Sequence, residues 1–188
     1  EIAKALSKAG VKTTLVSGPI DLKNFSNLKV IKVKTAHEML EKVKKLLPVD
    51  IAICAAAVTD YKPKNFSKKK IKKDKDKFNF LSLEKNPDIL NFLGKNNKDR
   101  PGVVVGFSAE TENLLRNSEE KLKNKNCDMI IANDVSKNDI GFNKKFNSVT
   151  IIDAYGKKIH LKKAKKSLIA SKIIQQILNR FLFNGKNF

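Results

Sequence analysis

At 188 residues, 41% of them hydrophobic, the chain is long enough for one domain with a sizeable core and too apolar to be disordered. Its formal net charge of +20 raises nucleic-acid binding first, but the basic residues are almost all Lys. Arg100, Arg116 and Arg180 are the only arginines, whereas readers of nucleic acid favour Arg forks and interleaved aromatics. The lysines run the whole length among Asn, Ile and Phe, as expected of a compositional bias carried on solvated faces.

The chain opens with Glu1-Ile2-Ala3-Lys4-Ala5-Leu6, which reads as the middle of a helix and predicts a piece of a longer protein. Lys12 to Ser17 is β-branched and stops at Gly18-Pro19, a strand ended by a turn. Leu28 to Val33 alternates as a second strand. Thr35 caps a predicted helix over Ala36 to Leu47, with Met39, Leu40, Val43, Leu46 and Leu47 at helical spacing, ended by Pro48. Ile51 to Val58 is a continuous apolar run, as in a strand buried on both faces. From Tyr61 to Lys77 lysines and Pro63 replace any apolar period, which predicts an exposed, mobile loop. Phe78 to Leu83 alternates as a strand, and Asn86-Pro87-Asp88 opens a short helix through Leu93.

Val103 to Phe107 reads as another buried strand, Leu114 to Lys125 as a helix, and Met129 to Ala132 as a strand running into Asn133-Asp134. Val149 to Ile152 and Lys158 to Leu161 form a hairpin around Asp153-Ala154-Tyr155-Gly156. A last helix covers Ser167 to Leu182. Strands alternating with helices, then a hairpin, predict an α/β fold: a Rossmann-like, doubly wound, mainly parallel sheet with helices on both faces and an antiparallel edge. No internal repeat and no second domain are visible. No apolar run reaches the roughly 18 residues of a membrane span, and no signal peptide is evident, so a cytoplasmic protein without a membrane partner is expected. Cys54 and Cys127 lie in apolar runs without C-x-x-C spacing, and read as reduced core residues.

In such folds ligands bind outside the carboxyl ends of the strands. Three of those ends carry polar residues: Thr59-Asp60, Ser108-Ala109-Glu110 and Asn133-Asp134. Lysines that neutralise phosphate, beside a carboxylate that holds Mg²⁺ or a sugar hydroxyl, suit polyphosphate binding. Neither a Walker A motif nor G-x-G-x-x-G is present. Taken alone, Lys121 and Lys125 at i, i+4 form a solvated helix face. Phe107 alone reads as core, Asp60 as a turn residue, and Lys70 as one lysine among many.

Six ordered motifs add to this reading. Ala55-Ala56-Ala57-Val58-Thr59-Asp60-Tyr61, Lys70-Ile71-Lys72-Lys73, Lys85-Asn86-Pro87-Asp88-Ile89 and Gly106-Phe107-Ser108-Ala109-Glu110-Thr111 come first. Lys121 and Lys125 before Cys127-Asp128 follow, then Ala132-Asn133-Asp134-Val135 with Gly141-Phe142-Asn143. In order and spacing, from about residue 3 to 180, the chain resembles the phosphopantothenate–cysteine ligase domain.

The resemblance implies joining 4′-phosphopantothenate to L-cysteine through an acyl-cytidylate, with CTP and Mg²⁺. It also implies a homodimer, and an N-terminal FMN-dependent decarboxylase domain in a bifunctional protein. Carried over, the CTP site comprises the backbone of Cys54, Ala55 and Ala56, then Asp60, Lys70, Pro87, Asp88, Ile89, Leu90, Phe107, Lys121 and Lys125. Phe107 would offer the base an apolar surface. Asp60 would hold a ribose hydroxyl or Mg²⁺, and Lys70 would meet the phosphates as a catalytic charge. Asn133 and Asp134 are weaker candidates for the acyl substrate. The loop from about Lys68 to Lys77 would act as a lid. The family's first strand, and the Gly-rich loop with the Asn used when cysteine attacks, are expected ahead of Glu1. This sequence alone is therefore expected to be impaired in ligation. The residues leave CTP against ATP open. The competing readings are a basic nucleic-acid-binding protein, a non-catalytic nucleotide-binding module, and an NAD-type oxidoreductase, the last disfavoured by the missing glycine fingerprint.

Overall fold

The computed structural model describes residues 1–20, 28–65, 80–95, 98–136 and 144–185, with side chains of the last helix as far as Leu182. Helix α1 (Ile2–Lys8) ends where Gly10 takes φ 76°. The Gly10 N–H donates to Ser7 O and the Val11 N–H to Leu6 O, a Schellman cap that only a residue tolerant of positive φ closes cheaply. Strands β1 (Thr14–Ser17) and β2 (Lys29–Lys32) pair in parallel. Helix α2 (Ala36–Lys44) starts at a capping box. Thr35 Oγ1 accepts from the Glu38 N–H at 3.1 Å, and Glu38 Oε2 accepts from the Lys34 N–H at 2.7 Å.

The main sheet has the order β3 (Ile51–Cys54), β6 (Val103–Glu110), β7 (Met129–Asp134), β8 (Phe146–Asp153), β9 (Lys158–Lys165). Its first three strands are parallel and its last two antiparallel, the doubly wound sheet with an antiparallel edge that the element order predicts. Helix α1 and the long α5 (Lys166–Gly185) cover one face. There Leu6, Ile169, Ile173 and Ile177 pack with Val103, Val105, Ile131 and Ile151. On the other face α2, α3 (Ile89–Lys95) and α4 (Leu114–Asn124) pack Met39, Leu90, Leu93 and Leu122 with Val104, Ile130 and Ile152. Val103, Val104, Val105, Ile130 and Ile131 are fully enclosed, each such side chain contributing about 1.5–3 kcal/mol. Among the described residues no helix is long and apolar enough to cross a membrane.

Several predicted boundaries move. The run from Ile51 forms a strand only to Cys54 and is half-buried rather than buried, and Ala55 to Val58 are exposed. Among the described residues β3 pairs only with β6 and β1 only with β2, so each keeps one open edge that admits solvent. The start of the predicted loop is a strand: β4 (Tyr61–Pro63) pairs antiparallel with β5 (Leu83–Lys85). Of the strand expected over 78–83, residues 78 and 79 lie outside the described residues and 80–82 are not strand; β5 begins at Leu83, where Pro63 lies opposite and Lys62 reaches Glu84 at 3.1 Å. The rest of the expected lid, 66–77 with Lys70, lies outside the described residues. Helix α2 stops at Lys44 rather than Leu47, and α3 starts at Ile89 because Asp88 is spent capping it. Strand β6 runs past Phe107 to Glu110, paired through to Asp134.

Helix α3 lies within backbone contact of its surroundings. A Cβ on Gly106 would meet Leu90 Cδ2 and Ile130 Cδ1 at 2.7 Å, and one on Gly94 would come to 1.9 Å from Lys125 O. Arg100 ties the same corner: it donates to Gly94 O, Pro101 O and Asn126 O and pairs with Asp128 at 2.9 Å. Gly94→Ala therefore drives α3 off α4, and is expected to lower stability by about 3 kcal/mol, the upper end for overpacking. Gly18→Ala, in open space, stays within about 0.5 kcal/mol. Urea midpoints of the two variants check this.

Candidate functional site

The carboxyl ends of β3, β6 and β7 form one rim, with Cys54 opposite Gly106 and Glu110 opposite Asp134. The turn before α3 arches over the β3 side. Asn86 Nδ2 donates to Thr59 O at 2.9 Å and Thr59 Oγ1 at 3.2 Å, and the Asn86 N–H donates to Asp60 O at 2.8 Å. Two residues on, Asp88 Oδ1 accepts from the Asn91 N–H at 2.8 Å as the cap of α3. Its other oxygen receives Lys125 Nζ at 2.5 Å. One turn earlier on α4, Lys121 Nζ donates to Phe107 O at 2.8 Å.

The placement of α4 follows from its ends. Ser118, fully buried, meets Ser108 of β6 hydroxyl to hydroxyl at 2.6 Å. At the C-terminus Asn126 takes φ 50°, the Asn126 N–H donates to Lys123 O, and the Cys127 N–H donates to Leu122 O, a second Schellman cap that buries Cys127 as its apolar contact. Lys121 and Lys125 are thereby turned over the rim instead of standing on a solvated face.

Local charge follows from this geometry. Burial raises the Asp88 pKa, but the Lys125 hydrogen bond, the Asn91 N–H and the Lys125 and Lys121 charges outweigh it, so the carboxyl sits below its usual range. Burial pushes the Cys54 thiol up to about 11, with Asp88 adding and Lys121 subtracting. Cys127 rises to about 12 through burial, then Cys54 and Asp128. Neither thiol is a nucleophile at neutral pH.

The structure brings Cys54, Asp88, Lys121, Lys125 and the Phe107 carbonyl together. Ala55 and Ala56 follow Cys54 exposed on the rim, and Asp60 stands exposed beside them, held through its own carbonyl by Asn86. Pro87 is half-buried in the turn, while Ile89 and Leu90 point into the core and leave only backbone for a ligand. The Phe107 ring packs on the α5 face of the sheet, opposite the face of Cys54 and α3. Asn133 Oδ1 is buried with no partner, and Asp134 Oδ1 is held by the Ser136 N–H and hydroxyl. Lys70 lies outside the described residues. No group of three or more His, Cys, Asp or Glu among the described residues clusters as a metal cage. Asp60 thus suits Mg²⁺ only in the mode where phosphates supply the other oxygens. Reading the sequence placed Asn86 in a turn and a motif but gave it no part in the site, where it pins the rim corner, and it missed Ser118. An Asn before Pro is a turn signal; nothing in the sequence singles out Ser118.

Residues 1–181 match the family model described as DNA/pantothenate metabolism flavoprotein C-terminal domain. The chain is 39% identical over 176 residues to the coenzyme A biosynthesis bifunctional protein CoaBC of Borreliella burgdorferi, covering 93% of this chain and 44% of that protein. It thus spans less than half the length of that curated relative. The crystal structure of the C-terminal domain of a CoaBC superposes with a TM-score of 0.77 at 32% identity, over 98% of this chain and 81% of that one. A Cab2 variant in complex with phosphopantothenate-cysteine shares the fold at TM-score 0.72 and 17% identity, over 99% of this chain and 77% of that one.

With both thiols held protonated, iodoacetamide at pH 7.5 is expected to leave the folded chain unmodified while labelling it fully in urea. Because both folded pKa values lie above that of a free thiol, near 8.5, their contribution to stability is complete below that value and is lost as pH rises towards 11–12. Mass spectrometry of the labelled chain against pH checks this.

Proposed function

The chain belongs to the family of DNA/pantothenate metabolism flavoprotein C-terminal domains, and on that premise we propose that its rim binds CTP and serves the ligation of 4′-phosphopantothenate with L-cysteine in coenzyme A biosynthesis. The observation that carries the reading is the pair Lys121 and Lys125, drawn over the strand ends to Phe107 O and Asp88. Their ammonium groups are the charge a triphosphate needs, already placed where the fold puts ligands. The relatives named for coenzyme A biosynthesis, and the fold neighbour in complex with phosphopantothenate-cysteine, support the same substrates.

In the proposed reaction the phosphopantothenate carboxylate attacks the α-phosphorus of CTP and releases pyrophosphate. The cysteine amine then attacks the acyl carbonyl, forming the amide and releasing CMP. Lys121 and Lys125 take up phosphate charge, with Lys125 exchanging Asp88 for the nucleotide. The exposed backbone after Cys54 meets the cytosine edge, and the Phe107 ring supplies apolar surface from the far side of β6. Lys70 joins them as the catalytic charge. Mg²⁺, when bound, supplies further neutralisation of the phosphates, with Asp60 as its carboxylate. Asn133, whose orphaned Oδ1 seeks a donor, and Asp134 face the acyl substrate. FMN has its place in a decarboxylase half of such a bifunctional protein, and the setting is the cytoplasm.

A homodimer belongs to the same proposal. Among the described residues the β4–β5 pair is a two-stranded sheet with no further strand, marginal by itself. Around it Tyr61, Phe80, Leu81 and Leu83 are exposed, Phe80 to 90%. A second copy covers this apolar patch.

Thermal melts with Mg²⁺ and CTP, ATP or duplex DNA at physiological salt test the site. Saturation at about 100 times the dissociation constant adds roughly 2.7 kcal/mol. CTP is expected to shift the melt, and Lys121→Met and Lys125→Met each to weaken the binding by about ten-fold or more. A shift with DNA alone, or CTP binding indifferent to both substitutions, overturns the reading. Sedimentation velocity tests the dimer: the chain is expected to run as a dimer, and Leu83→Asp as a monomer.

A further inference from the structure

A cavity lies at the opposite rim, where β7 begins. It is a half-open cleft of about 190 Å³ between the β8–β9 turn and the last turns of α5. Met129, Ile151 and Ile159 make its apolar floor, and Tyr155, Lys157 and Arg180 its polar mouth. None of the residues assigned above to nucleotide or acyl substrate lines it.

Arg180 is the feature that needs explaining. Three arginines stand among 39 basic residues, and two are accounted for. Arg100 knots the α3–α4 corner, and Arg116 pairs with Glu120 on a solvated helix face. Arg180 Nε is buried with no hydrogen-bond partner, and no ion pair holds the side chain among the described residues. Its guanidinium instead lies over the Tyr155 ring at 3.9 Å. Stacking occupies the face of the guanidinium and leaves its in-plane donors for an acceptor. The side chain as a whole is half-buried, and its terminal nitrogens, unlike Nε, are not enclosed, so they stand free to meet an anion at the mouth.

The surroundings specify the anion. Arg180 and Lys157 bring two positive charges to the cavity and Asp153 one negative. Asp153 Oδ1 already accepts from the N–H groups of Tyr155 and Lys157, both at 2.9 Å. The balance of one positive charge suits a monoanion rather than a phosphate dianion, and the planar fork suits a carboxylate. The floor accepts an apolar body, and the volume is of the order that holds a benzene-sized molecule. We propose that this cavity is a second ligand site, separate from the nucleotide rim, that takes a small carboxylate with a compact apolar body, its acid group on Arg180.

Benzoate is the probe. With only three arginines, the Nε–H correlations in a ¹⁵N spectrum of the 188-residue chain are few enough to assign by Arg→Lys exchange at each position. Benzoate titrated at pH 7.5 is expected to move the Arg180 signal saturably and leave those of Arg100 and Arg116 in place. Benzyl alcohol, the uncharged analogue, should bind about ten-fold or more weakly, and Arg180→Gln should abolish benzoate binding while CTP still shifts the melt. If Arg180→Gln does not fold, the titration of the unsubstituted chain decides alone. An unmoved Arg180 signal, equal binding of benzyl alcohol, or a response to inorganic phosphate in place of benzoate overturns the proposal.

Discussion

The rim at the strand ends depends on how closely α3 lies against β6 and α4. That approach exists because Gly106 and Gly94 present no Cβ where Leu90 and the Lys125 carbonyl sit. Arg100 and Asn126 then hold the corner by donating to Gly94 O. Asp128 completes it, taking Arg100 and the Val104 N–H on one oxygen. With the corner closed, Asp88 comes within reach of Lys125, and Lys121 within reach of the Phe107 carbonyl. A wider spacing would return both lysines to solvent, where an exposed ion pair contributes little.

The same closeness sets the electrostatics. A chain with net charge +20 has no shortage of cations, so position separates a lysine held at the rim from a solvating one. Lys121 and Lys125 are the lysines that α4 carries to the strand ends, and their charge there lowers the pKa of Asp88. Burial has the opposite effect on Cys54 and Cys127. The two thiols remain neutral packing groups beneath a charged rim, and their place in the fold, including the helix cap that Cys127 completes, needs no reactivity. Arg180, at the other end of the sheet, is the one arginine that neither an ion pair nor a helix corner explains.

Much of the architecture was legible in the pattern of residues. The apolar runs at 103–107 and 129–132, the helical spacing of 168–178 and the Thr35 cap each answer to a local rule, and each appears where that rule places it. The boundaries that moved are those where a partner decides. Tyr61 to Pro63 pair only because Leu83 to Lys85 lie opposite, a relation between segments that no window of sequence contains. The run after Cys54 is apolar enough for a strand, yet Ala55 to Val58 find no neighbour among the described residues and stay exposed.

The site divides in the same way. Sequence by itself determined the doubly wound order of elements, the polar ends of the parallel strands, and the ordered motifs that mark the family, because periodicity, caps and spacing are properties of neighbours in the chain. Tertiary structure alone decided that Lys121 and Lys125 leave the solvated face, that the Phe107 ring packs on the α5 face while its carbonyl receives Lys121, and that Asn86 locks the Asp60 corner. It also decided that Arg180 lies half-buried over Tyr155, its Nε without an acceptor. Each of these is a contact between residues distant in sequence, so their energies depend on packing geometry rather than on residue type.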